Sequence, residues 1–405
     1  MANVDNEQVF IAASLYDPGG KLVSGDWGDS VRDLIRILGP RNVHLSLYEN
    51  DADNESNAAL AKFQETLSCN NTILQEHLDL STLPHVITPD GTKKLKRIRF
   101  LAEVRNRALR PLQDHPTKFD KLLYINDIVF DPIDAANLLF STNADSDGKA
   151  HYRAACAVDF ENPFKFYDTF ATRDSQGYDM GVIFFPWFTG AGSATSRLGV
   201  LAQKDAVPVT SCWGGIVAFE AKWFQDSQVS GARDVDGIQL PLRFRAENDT
   251  YWDASECCLI HADLTAVSWT RANETGIFMN PYIRVAYSKA VLDWLWVTRR
   301  FERLYTPFQS LINWIAGRPS ANPRRLQKPG DLVTDRVWVW SAETQTDIEE
   351  GTTDNLLGGM QGNFEEVVRK ALPGSFCGYR QLSYLLDHTG KDGKKWSHED
   401  VPSYS

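Results

Sequence analysis

The chain has 405 residues, of which 43% are hydrophobic, and a formal net charge of −11. This length allows one large α/β domain with extensions, or two domains, built around a sizeable core. The acidic charge argues against nucleic acid or an anionic membrane as the main partner, because either would require a broad basic surface. It does not exclude a local basic pocket.

The sequence contains no membrane segment or leader that its composition would reveal. No run approaches the roughly eighteen apolar residues that a transmembrane helix needs, and the N-terminus lacks a signal-peptide pattern. We therefore expect a soluble chain. The scattered cysteines contain no Cys-x-x-Cys pair, which disfavours a structural zinc site. The sequons at Asn54, Asn70, Asn248 and Asn273 weakly indicate a secretory-pathway lumen.

The N-terminal part alternates between strand and helix patterns. Residues 9–15 form an apolar β-type run, and apolar residues at helical spacing follow up to Leu38. A second strand over 42–48 ends in Glu49, and a second helix is predicted over 58–67. This order predicts an α/β fold with a Rossmann-like, mostly parallel central sheet flanked by helices.

A basic helix is predicted between residues 93 and 110. It contains eight lysines and arginines and one acid, and its apolar residues form a buried stripe. Such a pattern is most often a solvated helix face. Because it precedes a polar strand end in an acidic protein, Arg105 and Asn106 are also candidates to contact a diphosphate.

That polar strand end is the pair Asn126-Asp127. The run Leu122 to Ile125 predicts a buried strand, and ligands bind at the carboxyl ends of strands in open α/β sheets. The two side chains offer hard oxygen ligands suited to Mg²⁺ or Mn²⁺. The alternative is an Asn-Asp turn that merely ends the strand.

The second half contains further acids next to aromatic residues. A strand over 151–158 leads to Asp159, and an aromatic and acidic stretch ends at Asp174. Aromatic rings together with carboxylates are a common way to bind sugars, so these two acids are candidates to hydrogen-bond a sugar hydroxyl.

Two motifs follow. The β-rich run 208–220 is interrupted by Gly214-Gly215, which predicts a bulge or a close approach of backbone to ligand. Further on, Glu256 falls in the first turn of a predicted helix, where the helix dipole favours an ionised carboxylate. His261 on that helix is a candidate metal ligand, although a single histidine there is more often simply hydrogen-bonded.

The C-terminal part is weakly patterned. Residues 281–304 predict a long amphipathic helix rich in tryptophan. We therefore expect a catalytic domain over 1–270, with a nucleotide-binding half over about 8–135 and an acceptor half over about 136–270. A helical segment over 271–320 and an irregular extension over 321–405, disordered after residue 391, would complete the chain.

Several ordered landmarks resemble the fungal cryptococcal-type α-1,3-mannosyltransferase family. They are Tyr48-Glu49-Asn50-Asp51, Arg105-Asn106, Ile125-Asn126-Asp127-Ile128-Val129-Phe130, Phe166-Tyr167-Asp168-Thr169 with Ala171-Thr172-Arg173-Asp174, Ser211-Cys212-Trp213-Gly214-Gly215-Ile216, and Ser255-Glu256-Cys257. The resemblance spans about residues 8 to 300. It implies a GT-A glycosyltransferase fold, a GDP-mannose donor, a divalent cation, and the lumenal domain of a type II Golgi membrane protein.

The resemblance also implies roles for individual residues. Asp127 and Asn126 would bind Mn²⁺ or Mg²⁺, with His261 as a possible third ligand by position. The donor would also contact residues at the other landmarks: Glu49, Arg105, Asn106, Trp213, Gly214 and Gly215. Glu256 would orient the acceptor hydroxyl, with Asp159 and Asp174 on the sugars.

The expected reaction is transfer of mannose to a hydroxyl of a mannose-containing glycan, forming an α-1,3 linkage with retention. An inverting enzyme would instead use Glu256 as the general base. A glycoside hydrolase using two of Asp159, Asp174 and Glu256 is one alternative. A non-catalytic glycan-binding subunit with the same fold is another.

Overall fold

The computed structural model describes residues 3–268, 275–341, 344, 362–388 and 394–402. The strands are β1 (Val9–Leu15), β2 (Val43–Asn50), β3 (Asn70–Glu76), β4 (Val86–Ile87), β5 (Lys93–Lys94), β6 (Lys121–Ile125), β7 (Ala154–Asn162), β8 (Lys165–Phe166), β9 (Arg173–Asp174), β10 (Val207–Ser211), β11 (Ile216–Glu220), β12 (Asp253–Ala254), β13 (Ile277–Ala286), β14 (Leu332–Trp340), β15 (Gly362–Lys370), β16 (Gly378–Tyr379), β17 (Leu382–Leu385) and β18 (Trp396–Glu399). The α-helices are α1 (Asp26–Leu38), α2 (Asn54–Thr66), α3 (Arg97–Gln113), α4 (Pro132–Phe140), α5 (Thr195–Leu201), α6 (Lys222–Gln225), α7 (Glu256–Ser268), α8 (Lys289–Thr298) and α9 (Thr306–Ile315).

A ten-stranded sheet organises the molecule. Its order is β3-β2-β1-β6-β11-β7-β13-β10-β9, with β8 paired to β7. Strands β3, β2, β1 and β6 are parallel, whereas β11 is antiparallel to both of its neighbours. Seven of the ten strands point the same way, and β8, β10 and β11 oppose them. The predicted α/β class, with a mostly parallel central sheet flanked by helices, is confirmed.

Both faces of this sheet are buried, which explains the nearly continuous apolar strands. Along β1, Phe10 and Ala12 belong to one core cluster, whereas Val9, Ile11 and Ala13 belong to the other. Helices α3 and α7 cover the first face, and α1 and α4 cover the second. Such burial on both sides is typical of parallel sheets.

The predicted long helix over 281–304 is wrong in its first part. Residues up to Ala286 complete β13, which lies in the sheet between β7 and β10. Pro281 fits because the pairing with β7 shifts register between Met279 and Arg284, and a proline cannot donate to a regular ladder. The helix begins only after Ser288, whose side chain accepts a hydrogen bond from the Val291 N–H. No described helix is long and apolar enough to cross a bilayer.

The C-terminal extension contains more regular structure than its sequence predicts. Strands β14 and β15 pair in antiparallel fashion over their whole length, and β17 pairs with β18. A disulfide between Cys258 and Cys377 and the pairing of β12 with β16 attach this part to the sheet domain. Residues 389–393, where disorder was predicted to begin, lie outside the described residues. The proposed domain limits stay a prediction.

Candidate active site

The Asn126-Asp127 pair lies where the sequence predicts it, directly after β6. The Asn126 N–H donates to the Gly215 carbonyl at 2.9 Å, and Trp27 Nε1–H donates to the Asn126 carbonyl at 2.8 Å. Asp127 itself is exposed. Within the described ranges its carboxylate has no hydrogen-bond or salt-bridge partner. The fold therefore holds the backbone of this pair rigidly and leaves one carboxylate available to a ligand.

The buried side chain of an arginine connects the end of β6 to Glu256. Arg105 of α3 donates from Nε to Glu256 Oε1 at 3.0 Å and from Nη1 to Asn126 Oδ1 at 3.1 Å. The guanidinium lies 4.5 Å from the ring centroid of Trp213 and 5.3 Å from that of Tyr124. Because a buried charge needs partners on several sides, this cage and these two hydrogen bonds fix the relative position of three predicted site residues.

In this structure Arg105 binds protein groups. Its side chain is buried and its hydrogen bonds go to protein groups. Asn106, beside it on α3, exchanges two 2.8 Å hydrogen bonds with the backbone of Phe244. These hydrogen bonds let both residues position neighbouring segments of the site, and their contact with a diphosphate stays a prediction.

The turn between β10 and β11 forms another side of the candidate site. Gly214 and Gly215 have φ values of +56° and +72°, which L-residues with a side chain rarely adopt. A Cβ on Gly214 would lie only 1.9 Å from the Ala157 carbonyl oxygen, so β7 itself requires a glycine there. The turn starts at Cys212, which forms a disulfide with Cys156 of β7. The glycines interrupt the run as predicted, but they form a tight turn between two separate strands beside Asn126 instead of a bulge within one strand. Their contact with a ligand stays a prediction.

The buried Asp159 and the half-buried Asp168 form a pair of carboxyl groups behind this turn. Asp159 Oδ1 accepts a hydrogen bond from the Asp168 N–H at 3.1 Å, and Asp168 Oδ2 accepts one from the Gly214 N–H at 3.3 Å. Burial, and next the charge of Asp168, raise the pKa of Asp159 to about 8. Burial also raises the pKa of Asp168. The pair therefore favours holding a proton at neutral pH.

Tyr287 links that pair to Asp127. Its hydroxyl donates to Asp159 Oδ2 at 3.0 Å, and its ring makes an edge contact with Tyr167, with centroids 4.7 Å apart. Burial raises the pKa of Tyr287, and the charges of Asp159 and Asp127 raise it further. The carboxylate of Asp127 thus lies in the same electrostatic environment as the Asp159 pair.

Neither Asp168 nor Tyr287 was singled out by the sequence as a site residue. Asp168 lies within the aromatic and acidic stretch 166–174, so its signal was present. Tyr287 lies within the segment 281–304 that the sequence predicts as helix, and no local pattern identifies it. Its position depends on β13 running parallel to β7.

Asp174 is not brought to this site. It lies in β9, and four strands separate β9 from β6. Its Oδ1 accepts hydrogen bonds from the Gln176 and Tyr178 N–H groups at 2.8 and 2.9 Å. This carboxylate closes a local turn at the far edge of the sheet.

Glu49 lies at the carboxyl end of β2 and is buried. Its Oε1 accepts hydrogen bonds from the Ser56 hydroxyl at 2.7 Å and the Asp17 N–H at 3.2 Å. Its Oε2 is buried with no partner among the described groups, and burial raises the pKa of this carboxyl. Glu49 thus supports the loop after β1, which lies beside β6 at the same end of the sheet.

His261 lies in the core, away from solvent. Its Nδ1–H donates to the Cys257 carbonyl at 2.7 Å, and Nε2 lies 3.9 Å from Cys156 Sγ. Burial lowers its pKa to about 4. The cluster of His261, Cys156 and Cys212 has the proximity of a metal site, but the two cysteines are joined in a disulfide and cannot act as thiolate ligands. This environment does not favour the predicted metal-binding role.

The side-chain oxygens of Asp127 and Asn126 suit a metal ion for which the protein supplies only part of the coordination shell. Asp127 offers a free carboxylate, and the Asn126 amide oxygen is oriented by Arg105. Mg²⁺ and similar ions commonly bind through one or two carboxylates plus substrate phosphates and water. The site therefore suits a metal that arrives with, or is completed by, a phosphorylated ligand.

Comparison with known proteins agrees with these landmarks. Residues 8–263, more than half of the chain, match the family model described as Cryptococcal mannosyltransferase 1. The chain belongs to this family. The predicted family is thereby confirmed. No curated protein matches the chain by sequence.

Solved structures of glycosyltransferases resemble the chain distantly. One is the mannosyltransferase PcManGT from Pyrobaculum calidifontis in complex with GDP-Man and Mn²⁺, with 12% identity, a TM-score of 0.36, and coverage of 79% of this chain and 66% of that one. Another is S. aureus TarS 1-349, with 9% identity, a TM-score of 0.35, and coverage of 69% and 60%. The chain thus spans slightly less than two thirds of either neighbour.

Proposed function

We propose that this mannosyltransferase transfers mannose from GDP-mannose to a hydroxyl of a mannose-containing glycan, with Mn²⁺ or Mg²⁺ as cofactor. The observation that carries the proposal is the free carboxylate of Asp127 at the end of β6, beside a backbone fixed by Gly215 and Trp27. The resemblance to the family favours an α-1,3 linkage and retention of configuration.

In this proposal the residues of the candidate site have separate roles. Asp127 and Asn126 would hold the metal, which when bound neutralises the charge that develops on the departing diphosphate. Arg105 keeps Asn126 and Glu256 in place. Glu256 begins α7 and is buried. Its Oε1 is occupied by Arg105, so a contact with the acceptor hydroxyl would be made by Oε2. The Gly214-Gly215 turn allows the donor to approach backbone closely.

The hydrolase alternative is not favoured by the same geometry. It would use two of Asp159, Asp174 and Glu256, yet Asp174 lies at the far edge of the sheet. Asp159 is buried under Tyr287 and Asp168. A pair of accessible carboxyl groups flanking a sugar is therefore not formed by these three residues.

We also propose that the protein works in the Golgi lumen. Two disulfides, Cys156–Cys212 and Cys258–Cys377, support an oxidising compartment. Three sequon asparagines, Asn54, Asn70 and Asn248, are exposed. The fourth, at residue 273, lies outside the described residues.

Thermal shift with a panel of nucleotide sugars, with and without Mn²⁺, tests the donor. GDP-mannose with Mn²⁺ should raise Tm by several degrees, because ligand at 100 times its Kd stabilises a protein by about 2.7 kcal/mol. A preference for uridine nucleotides would overturn the mannose donor but not the family. NMR of the product anomer separates retention from inversion.

The Asp127→Ala variant tests the metal site. It should keep the Tm of the unliganded protein, since the side chain is exposed and unpaired, and should lose the Mn²⁺-dependent shift. Asp234→Ala, which removes another exposed carboxylate, is the matched control and should keep that shift. An Asp127→Ala protein that still binds donor only with metal would refute the assignment.

A further inference from the structure

The first turns of α3 stand beyond the edge of the sheet at which Asp127 lies. Just past the end of this helix, His115 Nε2 lies 3.1 Å from His44 Nδ1 at the start of β2, whereas Arg105 reaches the end of β6. Helix α3 therefore runs toward the amino ends of the parallel strands. Arg97, its first residue, precedes Arg105 by about 12 Å along the helix axis. It therefore stands above the carboxyl edge of the sheet.

An aromatic ring holds the side chain of Arg97. Its guanidinium lies 4.6 Å from the ring centroid of Trp396 in β18. Among the described residues no carboxylate forms a salt bridge with it, whereas Lys94, just before α3, is paired with Glu399. An aromatic ring orients a guanidinium without neutralising its charge, and the N–H groups on the edge of the guanidinium can then bind an anion.

Arg97 and Asp127 act on the same tyrosine. Tyr167 is 52% exposed, and its ring contacts that of Tyr287. Burial raises the pKa of Tyr167, and the charge of Asp159 raises it further. The positive charge of Arg97 lowers this pKa, whereas the negative charge of Asp127 raises it. Both charged groups therefore lie close to the Tyr167 hydroxyl, on the open side of the candidate site.

The antiparallel pair β17–β18 continues this surface to the loop after β1. Lys395, beside Trp396, has its Nζ 4.3 Å from the ring centroid of Tyr16, which is 55% exposed. Because β1 pairs in parallel with β6, Tyr16 and Asp127 follow their strands at the same edge of the sheet. Within the part of the chain that the structure describes, Lys395 forms no salt bridge with an acid. Two cations held by aromatic rings thus lie near the free carboxylate of Asp127.

We propose that Arg97 binds the diphosphate of the nucleotide-sugar donor and that Trp396 holds its guanidinium in position. The inference rests on the proposed function and deepens it, because it adds a phosphate contact that the sequence did not single out. A guanidinium forms paired hydrogen bonds with phosphate oxygens, and a fixed cation stabilises the charge that develops on a departing diphosphate. Lys395 adds positive charge on the same side. The pair β17–β18 would thereby form part of the donor site.

Calorimetric titration with GDP in the presence of Mn²⁺ tests the contact. Arg97→Gln should weaken GDP binding by at least about tenfold, because hydrogen bonds between charged groups are the strong ones. Arg97→Lys keeps the charge without the planar group, so its affinity should fall between those of Arg97→Gln and the parent protein. Arg110→Gln is the matched control. It removes another arginine of α3, which is half exposed and paired with Glu76, and should leave GDP affinity unchanged.

A second variant tests the role of the ring. Trp396→Leu leaves the guanidinium in place but removes the surface that orients it, and should weaken GDP binding by about threefold. Trp294→Leu removes a tryptophan that is 59% exposed elsewhere on the chain and should leave GDP affinity unchanged. Equal weakening by both tryptophan variants would contradict a specific role for Trp396.

The titrations distinguish failure of this inference from failure of the proposed function. A parent protein that binds no nucleoside diphosphate with Mn²⁺ would refute the proposed donor and, with it, the contact. A parent that binds GDP, together with an Arg97→Gln variant that binds it equally tightly, would overturn the contact alone. A lower Tm with unchanged GDP affinity would then show that Arg97 only attaches β18 to α3. Should Arg97→Gln fail to fold, unchanged GDP affinity in both Arg97→Lys and Trp396→Leu would overturn the contact equally.

Discussion

The buried pair formed by Arg105 and Glu256 gives the sharpest test of how the site is assembled. Replacing Arg105 by Met leaves Glu256 buried without its cation, and replacing Glu256 by Met leaves the guanidinium without its anion. Removing one partner of a buried pair costs about 3 to 5 kcal/mol. We expect this cost for Arg105 and Glu256, because their Nε and Oε1 atoms lie 3.0 Å apart and both side chains are buried.

The double variant should cost much less than the sum of the two single variants. Methionine is close in length to both side chains, and replacing a whole buried pair by apolar residues is often nearly neutral. We therefore expect a coupling energy of at least about 2 kcal/mol in a double-mutant cycle measured by urea unfolding. The exposed pair Lys289 and Asp293, 2.8 Å apart, is the control, and its coupling should not exceed about 0.5 kcal/mol.

Kinetics of the same variants separate positioning from a purely structural role. Arg105→Met frees the Asn126 side chain. Both the KM for the donor and the Mn²⁺ concentration needed for half-maximal activity should therefore rise. Glu256→Met should mainly lower kcat, because it removes the group proposed to orient the acceptor hydroxyl. Additivity of the two unfolding costs to within about 0.5 kcal/mol would show that the pair is not one unit, and the assembly described above would then be wrong.

Three further predictions concern the surroundings of the site. Gly214→Ala should destabilise the protein by at least about 2 kcal/mol, because positive φ strain and overpacking add. Gly231→Ala, which also has a positive φ but open space around its Cβ, should cost less; equal losses in Tm would contradict the role of close packing. The free energy of unfolding should fall by up to about 3 kcal/mol between pH 6.5 and 4 through His261, since the unfolded state binds the proton that the buried ring excludes. His261→Gln should reduce that slope in urea titrations, and an unchanged slope together with lost Mn²⁺ dependence would restore the metal-ligand role. The Cys258→Ser, Cys377→Ser double variant should lose about 2 to 5 kcal/mol in unfolding experiments, because the disulfide closes a long loop, and unchanged stability would refute this.

Part of the candidate site was predictable because its signals are local. An apolar run ends in Asn126-Asp127, and a first-turn position was predicted for Glu256; both follow from the neighbouring residues alone. The structure confirms the strand before Asp127 and the helix that begins at Glu256. Their proximity was not predictable in the same way, since Arg105 and Glu256 are 151 residues apart.

The sequence by itself determined the α/β class, the polar strand end at Asp127 and the interruption of the β-rich run at Gly214, because hydrophobic period and backbone conformation are properties of short segments. Only the tertiary structure decided that Tyr287 follows a strand, that Asp159 and Asp168 lie side by side, and which cysteines pair. It also decided that α9 turns its apolar face outward, since an amphipathic pattern has no direction until the rest of the chain packs against one side. Those features depend on contacts between distant segments, and the free energy of such contacts exceeds any local preference.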